Sequence, residues 1–239
     1  MRTQDFSSGF DTLLNSYAIP ARFGSQDNPG TIQLDEFEKS QLLTKSQEDT
    51  AIDLYSGRNS LGASFEETEE LRRYLSNLVK ESSLNPIQTT TGILGIDSNS
   101  KFFTLPDDLW FITYESVTLD KDAPCGAGSR LDVIPVRQDE YNKIRKNPFR
   151  GANNRRALRL DLSDGVIEIV SKFTVTKYYI RYMRKLRPII LADFGNDASI
   201  RGVSEVTECE LPETLHQRIL DRAVMMALQS RGYTNNENK

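Results

Sequence analysis

Residues 157–183 read ALRLDLSDGVIEIVSKFTVTKYYIRYM, and this stretch has the pattern of β-strands. Two aliphatic runs, ALRLDL and GVIEIV, flank Ser163-Asp164-Gly165, which is typical of a tight hairpin turn. The run FTVTKYYIRYM alternates large apolar with polar residues, and its phase changes at Lys177, which favours a β-bulge. The stretch therefore predicts at least three strands and two of their connections.

Further strand-like runs lie upstream of this stretch. Residues 101–105 and 109–118 are rich in aromatic and β-branched residues, and a proline followed by two aspartates separates them as a turn. Residues 131–136 form a shorter run that contains Pro135. Because proline has no N–H to donate to a sheet, this run is expected to be an edge strand. The β-rich region is predicted to cover residues 87–207.

The two ends of the chain predict helices. Apolar residues at helical spacing indicate a first helix near the N-terminus, and residues 34–55 predict a second, long and polar helix. A third helix is predicted over residues 65–82 and begins with four glutamates. Residues 211–231 repeat apolar positions every three to four residues without a break, and the tail over 233–239 is predicted to be disordered.

These elements predict an α+β fold. The apolar face of the single C-terminal helix must pack against another apolar surface, and the N-terminal helices are the natural candidates. We therefore expect a helical bundle domain built from both chain ends, residues 1–86 and 208–232, with an antiparallel β-rich domain inserted over residues 87–207. The polar helix over 34–55 is expected to spend part of its surface in an interface or in solvent.

The net charge of −4 conceals an uneven distribution. Residues 1–120 contain 19 acidic and 9 basic side chains, whereas residues 137–187 contain 14 basic and 5 acidic ones. Opposite charge in separate regions suggests contacts between copies of the chain or contact with a polyanion. The alternative is that both regions are solvated surfaces.

The residue types exclude most catalytic sites. The chain has one histidine, His216, and two distant cysteines, Cys125 and Cys209, which leaves no set for a histidine triad or a zinc site. Cys125 lies in a glycine-rich loop, but a cysteine nucleophile normally needs a histidine as its general base, and His216 is the only histidine in the sequence. No cofactor or calcium motif occurs, and no run is long enough to span a membrane. We expect no enzymatic activity, no cofactor, no metal ion and no small-molecule substrate.

The most notable loop follows residue 144 and carries the candidate contact residues. Proline and glycine exclude regular structure from NPFRGANN, and its basic character suits either phosphates or an acidic surface of a neighbouring protein. We favour a subunit contact over a DNA-channel contact, because the chain as a whole is acidic. The alternative function is nucleic-acid binding by the basic region 145–187. The candidate residues are Arg145, Lys146, Phe149, Arg150, Arg155 and Arg156.

Several stretches resemble structural proteins of crAss-like tailed bacteriophages. The resemblance covers most of residues 31–230 and consists of packing motifs, so no catalytic residue carries over. The stretches are LDEFEKSQLLTKSQEDTAIDLYSG, FEETEELRRYL, KFFTLPDDLWFITYESV, NPFRGANNRRALRL, VIEIVSKFTVTKYYIRYMRKLRPIIL and CELPETLHQRILDRAVMMAL.

The resemblance implies a virion structural protein that assembles with copies of itself. The expected form is a ring, a dodecamer, in the phage neck or tail below the portal protein. As a head-to-tail connector it would join the portal to adjacent tail and ring proteins, with DNA passing through its channel without sequence-specific binding. The implied location is the virion, after assembly in the host cytoplasm, with no membrane contact. The predicted bundle with an inserted β domain is also similar to podovirus head-to-tail adaptor proteins.

Overall fold

The computed structural model describes residues 1–22, 33–59, 62–88, 96, 99–120, 128–195 and 198–231. The chain divides into two compact units, one formed by Met1–Asn77 with Leu186–Lys239 and the other by Leu78–Lys185. The helices are α1 (Thr3–Arg22), α2 (Glu36–Ser56), α3 (Glu69–Leu75), α4 (Tyr141–Arg145) and α5 (Glu213–Ser230). The strands are β1 (Val79–Leu84), β2 (Lys101–Thr104), β3 (Leu109–Leu119), β4 (Arg130–Pro135), β5 (Arg156–Asp161), β6 (Val166–Val170) and β7 (Val175–Arg184).

The second unit is built on a seven-stranded sheet in the order β1-β7-β3-β4-β5-β6-β2. The predicted hairpin is confirmed, since β5 and β6 pair antiparallel. Its turn residues Asp164 and Gly165 have φ of 57° and 70°, which suits a tight hairpin turn. The predicted bulge is also confirmed, because the pairing of β3 with β7 shifts by one residue at Thr176.

The α+β class holds, but the expected helical bundle with an inserted antiparallel β domain is wrong. The sheet is mixed, because β4 pairs parallel with β5, from Asp132↔Arg156 to Pro135↔Arg159. An alternating sequence pattern shows which residues share a face and leaves strand direction open, so it could not reveal this pairing.

β4 also differs from its prediction as an edge strand, since it lies between β3 and β5. Pro135 is the last residue of β4, and the next residue resumes the ladder, with Val136 N–H donating to Arg159 O at 2.8 Å. A proline at a strand end removes a single donor, which an interior strand tolerates at that position.

The third predicted helix is much shorter than expected. α3 covers Glu69–Leu75 and begins at Thr68, whose hydroxyl accepts from Leu71 N–H at 3.3 Å. A short 3-10 helix follows, and β1 then pairs with β7 along its whole length. The cross-strand ion pair between Glu81 and Arg181, at 2.6 Å, is one of the contacts that favour a strand there. Long-range pairing outweighs local helix propensity in this segment.

The core of the β-rich unit lies on one face of the sheet. Its residues alternate along the strands, and Leu84, Leu105, Leu109 and Phe173 pack against its margin. The buried members are Phe103, Val117, Leu119, Leu131, Val133, Ala157, Ile167, Ile169, Val175, Tyr178, Ile180 and Tyr182.

The buried apolar side chains of the first unit come mainly from α1, α2 and α5. α1 approaches α5 closely at Gly9, where an added Cβ would lie 3.0 Å from Leu220 Cδ2. None of the helices in the described ranges is both long and apolar enough to cross a bilayer. The residues of this core include Phe6, Phe10, Leu14, Leu43, Leu54, Ile219, Leu220 and Val224.

α2 is long and polar as predicted, but many of its polar side chains are buried inside the first unit. Thr44 Oγ1 accepts from Ile189 N–H at 3.0 Å, and Gln47 Nε2 donates to Arg187 O at 2.9 Å. These side chains form hydrogen bonds with main-chain N–H and C=O groups of the extended segment 187–191, which a neighbouring strand would otherwise provide. The expectation that part of the polar surface faces solvent holds at exposed Gln41 and Lys45, but not at these buried residues.

Candidate subunit interface

The basic loop predicted from the sequence connects α4 to β5 and is held against the sheet at its base. We call residues 145–156 the basic loop. Tyr141 of α4 is buried in a small second cluster on the sheet. Ile144, just before the loop, and Ala152, in its second half, pack against that cluster. The other buried members of the cluster are Leu158, Leu160 and Val170. The loop therefore leaves from, and returns to, a packed base.

Hydrogen bonds within the basic loop fix its main chain. Asn147 O accepts from Gly151 N–H at 2.8 Å and from Arg150 N–H at 3.2 Å. Asn147 Oδ1 accepts from Phe149 N–H at 2.9 Å, and Arg156 Nη1 donates to Phe149 O at 2.9 Å. Because both sides of the tip are bonded, the loop presents Phe149 in a defined position.

Gly151 makes this conformation possible, because it is buried at the point where the loop folds back. A Cβ at this position would lie 3.0 Å from Asn147 O and 3.3 Å from both Arg145 O and Ile144 O. All three atoms are main-chain oxygens, so none can move without moving the loop. The close approach therefore requires a residue without a side chain.

We expect Gly151→Ala to displace the basic loop and to destabilise the unit by about 1–3 kcal/mol, the usual cost of overpacking. Limited proteolysis should show faster cleavage within residues 145–156, and urea unfolding should show the loss of stability. Gly128→Ala is the matched control for steric cost, since no atom of the described residues lies within 4 Å of a Cβ there, although its φ of 80° strains any side chain. Unchanged proteolysis of Gly151→Ala would contradict the rigid-loop description.

The tip of the loop is apolar and its surroundings are positively charged. The side chain of Phe149 is 83% exposed, whereas the next most exposed large apolar residue in the described ranges, Val206, is 49% exposed. Exposed aromatic side chains on defined loops are typical of protein interfaces. The exposed cations around it are Arg145, Lys146, Arg150 and Arg155.

The charges of these four cations are not neutralised within the described part of the chain, where none of them forms an ion pair. Other basic residues of the same region are paired. Arg181 lies 2.6 Å from Glu81, Arg187 lies 3.9 Å from Glu210, and Arg137 lies 3.0 Å from Asp139.

The sixth candidate, Arg156, is half-buried and bonded to the loop itself. Four exposed cations of the loop can therefore contact a partner, whereas Arg156 holds the loop in its conformation.

The aromatic residues of β7 do not form an exposed platform for nucleic-acid bases. Tyr178 and Tyr182 are buried in the sheet core. Burial is the main cause that raises the pKa of Tyr182 to about 12, and a hydrogen bond to Asp108 adds to it. Burial also raises the pKa of Tyr178. Tyr179 lies on the other face beneath Arg130, 5.6 Å from the guanidinium carbon. Within region 145–187, the basic loop is therefore the part where the most exposed aromatic side chain, Phe149, lies among exposed cations without an ion-pair partner in the described ranges.

A buried ionic cluster, which no sequence pattern indicates, joins β3, β5 and β7. Arg159 Nη1 donates to both carboxylate oxygens of Glu115 at 2.9 Å, and Tyr178 Oη donates to Glu115 Oε2 at 2.7 Å. Burial raises the pKa of Glu115 although Arg159 opposes this shift. Its partners lie 44 and 63 residues away along the chain, so no local spacing predicts it. Its hydrogen bonds connect side chains of β3, β5 and β7 within the β-rich unit.

The residues considered for catalysis do not form a catalytic pair in the described ranges. His216 Nε2 lies 2.8 Å from Leu211 O, and Nδ1 lies 2.8 Å from the Met1 amine. Burial lowers the pKa of His216, and burial raises the pKa of the Cys209 thiol to about 11, which disfavours a reactive thiolate. Cys125 lies outside the described residues. Within those residues no group of three or more potential metal ligands occurs.

Comparison with known proteins gives a match over the whole chain. The family model described as "Phage tail ring protein 3/4" matches residues 1–239. The chain is 46% identical over 233 residues to "Ring protein 3" of Bacteroides phage crAss001, covering 97% of this chain and 96% of that protein. It is 31% identical over 238 residues to "Ring protein 4/5" of the same phage, covering 95% and 92% of the two chains. The resemblance read from the sequence is confirmed, and the chain belongs to the phage tail ring protein 3/4 family of crAss-like bacteriophages, a family of virion structural proteins.

Proposed function

We propose that this chain is the subunit of a closed homo-oligomeric ring, a dodecamer, in the neck or tail of the virion. The observation that carries the proposal is the match to ring proteins over nearly the full length of both chains. Assembly is the proposed function, and no reaction, cofactor or small-molecule substrate forms part of it.

A closed ring requires two different surfaces on each subunit, because its contacts are heterologous. The basic loop supplies one surface that suits such a contact, with an exposed phenyl ring and four available cations. The acidic excess of residues 1–120 supplies the opposite charge elsewhere in the same chain. Each copy therefore carries both partners of a charge-complementary contact.

We further propose that the ring is a portal-proximal adaptor that joins the portal to the tail. Its faces would contact the portal and adjacent ring or tail proteins, and DNA would pass through its channel without sequence-specific binding. Assembly in the host cytoplasm would precede incorporation into the particle. The tail over residues 233–239, which lies outside the described residues, stays a predicted disordered segment.

Negative-stain imaging of the purified protein, alone and mixed with portal protein, tests this proposal. We expect closed rings with twelve subunits, either alone or on the portal, because the contact surfaces are present in every copy. Labelling this protein in whole particles should place it between the portal and the distal tail. Monomers in both mixtures, at concentrations where the portal itself is assembled, would contradict the proposal.

The second candidate, nucleic-acid binding by region 145–187, is supported by the four cations that have no acidic partner in the described ranges. It predicts that affinity for duplex DNA falls steeply with added salt, because each phosphate contact releases counterions. Arg150→Glu with Arg155→Glu should then reduce binding, as measured by fluorescence anisotropy. We favour the ring contact, since the chain is acidic overall and the aromatic residues of β7 are largely buried.

A further inference from the structure

Phe149 lies at the tip of the basic loop, and nothing within the described residues covers it. Its main chain is bonded at N–H and at O, so little conformational entropy remains to be lost when a partner binds. A phenyl ring that is 83% exposed leaves apolar surface in water unless a partner buries it. Large aromatic groups of this kind contribute much of the binding energy in protein interfaces.

Available charges of opposite sign lie in the two different units of the chain. The cations of the basic loop, in the β-rich unit, have no ion-pair partner in the described ranges. In the first unit, Glu66, Glu67 and Glu70 are exposed and form no ion pair in the described ranges, whereas neighbouring Glu69 is paired with Arg73 at 2.6 Å. Glu67 and Glu70 accept one hydrogen bond each, from Ser64 N–H and from the Tyr74 hydroxyl, and both keep their negative charge without a cation. A contact between the basic loop of one copy and this acidic surface of another would neutralise both.

A duplex would satisfy the cations but not the phenyl ring. The outer surface of duplex DNA is mainly phosphate and sugar, and a phenyl ring is buried there only in a groove or between base steps, where unstacking costs free energy. A folded protein surface can offer both carboxylates and an apolar recess. The combination of Phe149 with its cations therefore favours an acidic protein surface as the partner.

We infer that Phe149, with Arg145, Lys146, Arg150 and Arg155, is an anchor that binds the acidic surface at Glu66, Glu67 and Glu70 of a second copy. This inference rests on the proposed ring, and it identifies the contact between subunits that would close that ring. Since the two surfaces differ, the contact is heterologous, and repetition of it can close a ring.

Photo-crosslinking tests which surface the anchor meets. A photoreactive phenylalanine analogue at position 149 is incorporated into unlabelled protein, which is mixed with nitrogen-15-labelled wild type before irradiation. We expect crosslinked peptides that join residue 149 to labelled peptides around residues 62–75, because these contacts lie between copies. Crosslinks confined to one copy, or to other surfaces only, would overturn the assignment.

Charge reversal tests the same contact in solution. Phe149→Ser should weaken assembly at least about 10-fold, as for interface residues that dominate binding. Arg150→Glu with Arg155→Glu, and separately Glu66→Lys with Glu70→Lys, should each weaken assembly, and a chain that carries all four changes should recover part of the loss. Lys177→Glu is the matched control, because Lys177 is exposed on β7 outside the loop.

The outcomes separate this inference from the proposed ring. If wild type forms no ring, alone or with portal, both fail. If wild type forms rings and the Phe149 and arginine variants assemble equally well with unchanged melting temperature, only the anchor fails. Crosslinks from residue 149 to DNA in particles, with assembly of the variants intact, would assign the loop to nucleic acid instead.

Discussion

Arg159→Ala is expected to lower the free energy of unfolding of the β-rich unit by about 3–5 kcal/mol, the cost of removing one partner of a buried ion pair. The side chains of Arg159 and Glu115 are only 11% and 10% exposed. Without the guanidinium, the Glu115 carboxylate would stay in a low-dielectric site with the hydroxyl of Tyr178 as its remaining hydrogen-bond partner among the described residues. Urea unfolding followed by circular dichroism measures the loss.

The pH dependence identifies the cause of this loss. Burial already raises the pKa of Glu115 above its ordinary value, and removal of Arg159 should raise that pKa further. A carboxyl whose pKa is raised on folding binds more protons in the folded state, so its stability contribution is lost as pH rises. The deficit of Arg159→Ala should therefore be smaller at pH 5 than at pH 8.

Two variants control for this experiment. Arg137→Ala removes an ion pair whose side chains are 75% and 65% exposed, so it should cost at most about 1 kcal/mol. Glu115→Gln with Arg159→Met replaces the charges together and should recover much of the stability, since an apolar or neutral replacement of both partners is often tolerated. A loss of less than 1 kcal/mol for Arg159→Ala, independent of pH, would show that the cluster is not a structural element.

Thr44→Val is expected to cost about 1–3 kcal/mol in the first unit, because it leaves buried main-chain groups without a partner. Thr44 is 3% exposed, and Ile189 is fully buried. The Thr44 hydroxyl accepts from Ile189 N–H at 3.0 Å and donates to Ile189 O at 3.3 Å. Valine has nearly the same shape, so the loss reports the hydroxyl and not the packing.

Thr44→Ser is the matched control, since it keeps the hydroxyl and removes only a methyl group. It should be less destabilised than Thr44→Val in the same chemical unfolding experiment. Hydrogen exchange at Ile189 should also be faster in Thr44→Val than in Thr44→Ser. If the two variants are equally stable, the polar face of α2 does not support segment 187–191 as described.

The sequence predicted those elements whose signals are local. The turn at Asp164-Gly165 and the apolar repeat of α5 depend on neighbouring residues, and both were found where the pattern indicated. The basic loop could be placed as well, because Gly151 and the cations are visible in one short stretch. The exposure of Phe149 could not, since it depends on the base that packs against β5 and β6.

The features that sequence reasoning missed depend on residues far apart in the chain. β1 was predicted as the end of a helix, and it becomes a strand because it pairs with β7 about 100 residues later. The polar residues of α2 indicated a solvated surface, but Thr44 and Gln47 bond to main chain about 140 residues away. Polarity alone does not distinguish a side chain that meets water from one that meets buried peptide groups.

Everything proposed about function depends on self-association through surfaces that each copy carries. Native mass spectrometry of the purified wild-type protein, over a range of concentrations and with portal added, tests this most directly. We predict a discrete species at twelve times the 27.1 kDa subunit mass, which is lost in Phe149→Ser with Arg150→Glu. A single 27.1 kDa species at every concentration, with and without portal, would contradict the account.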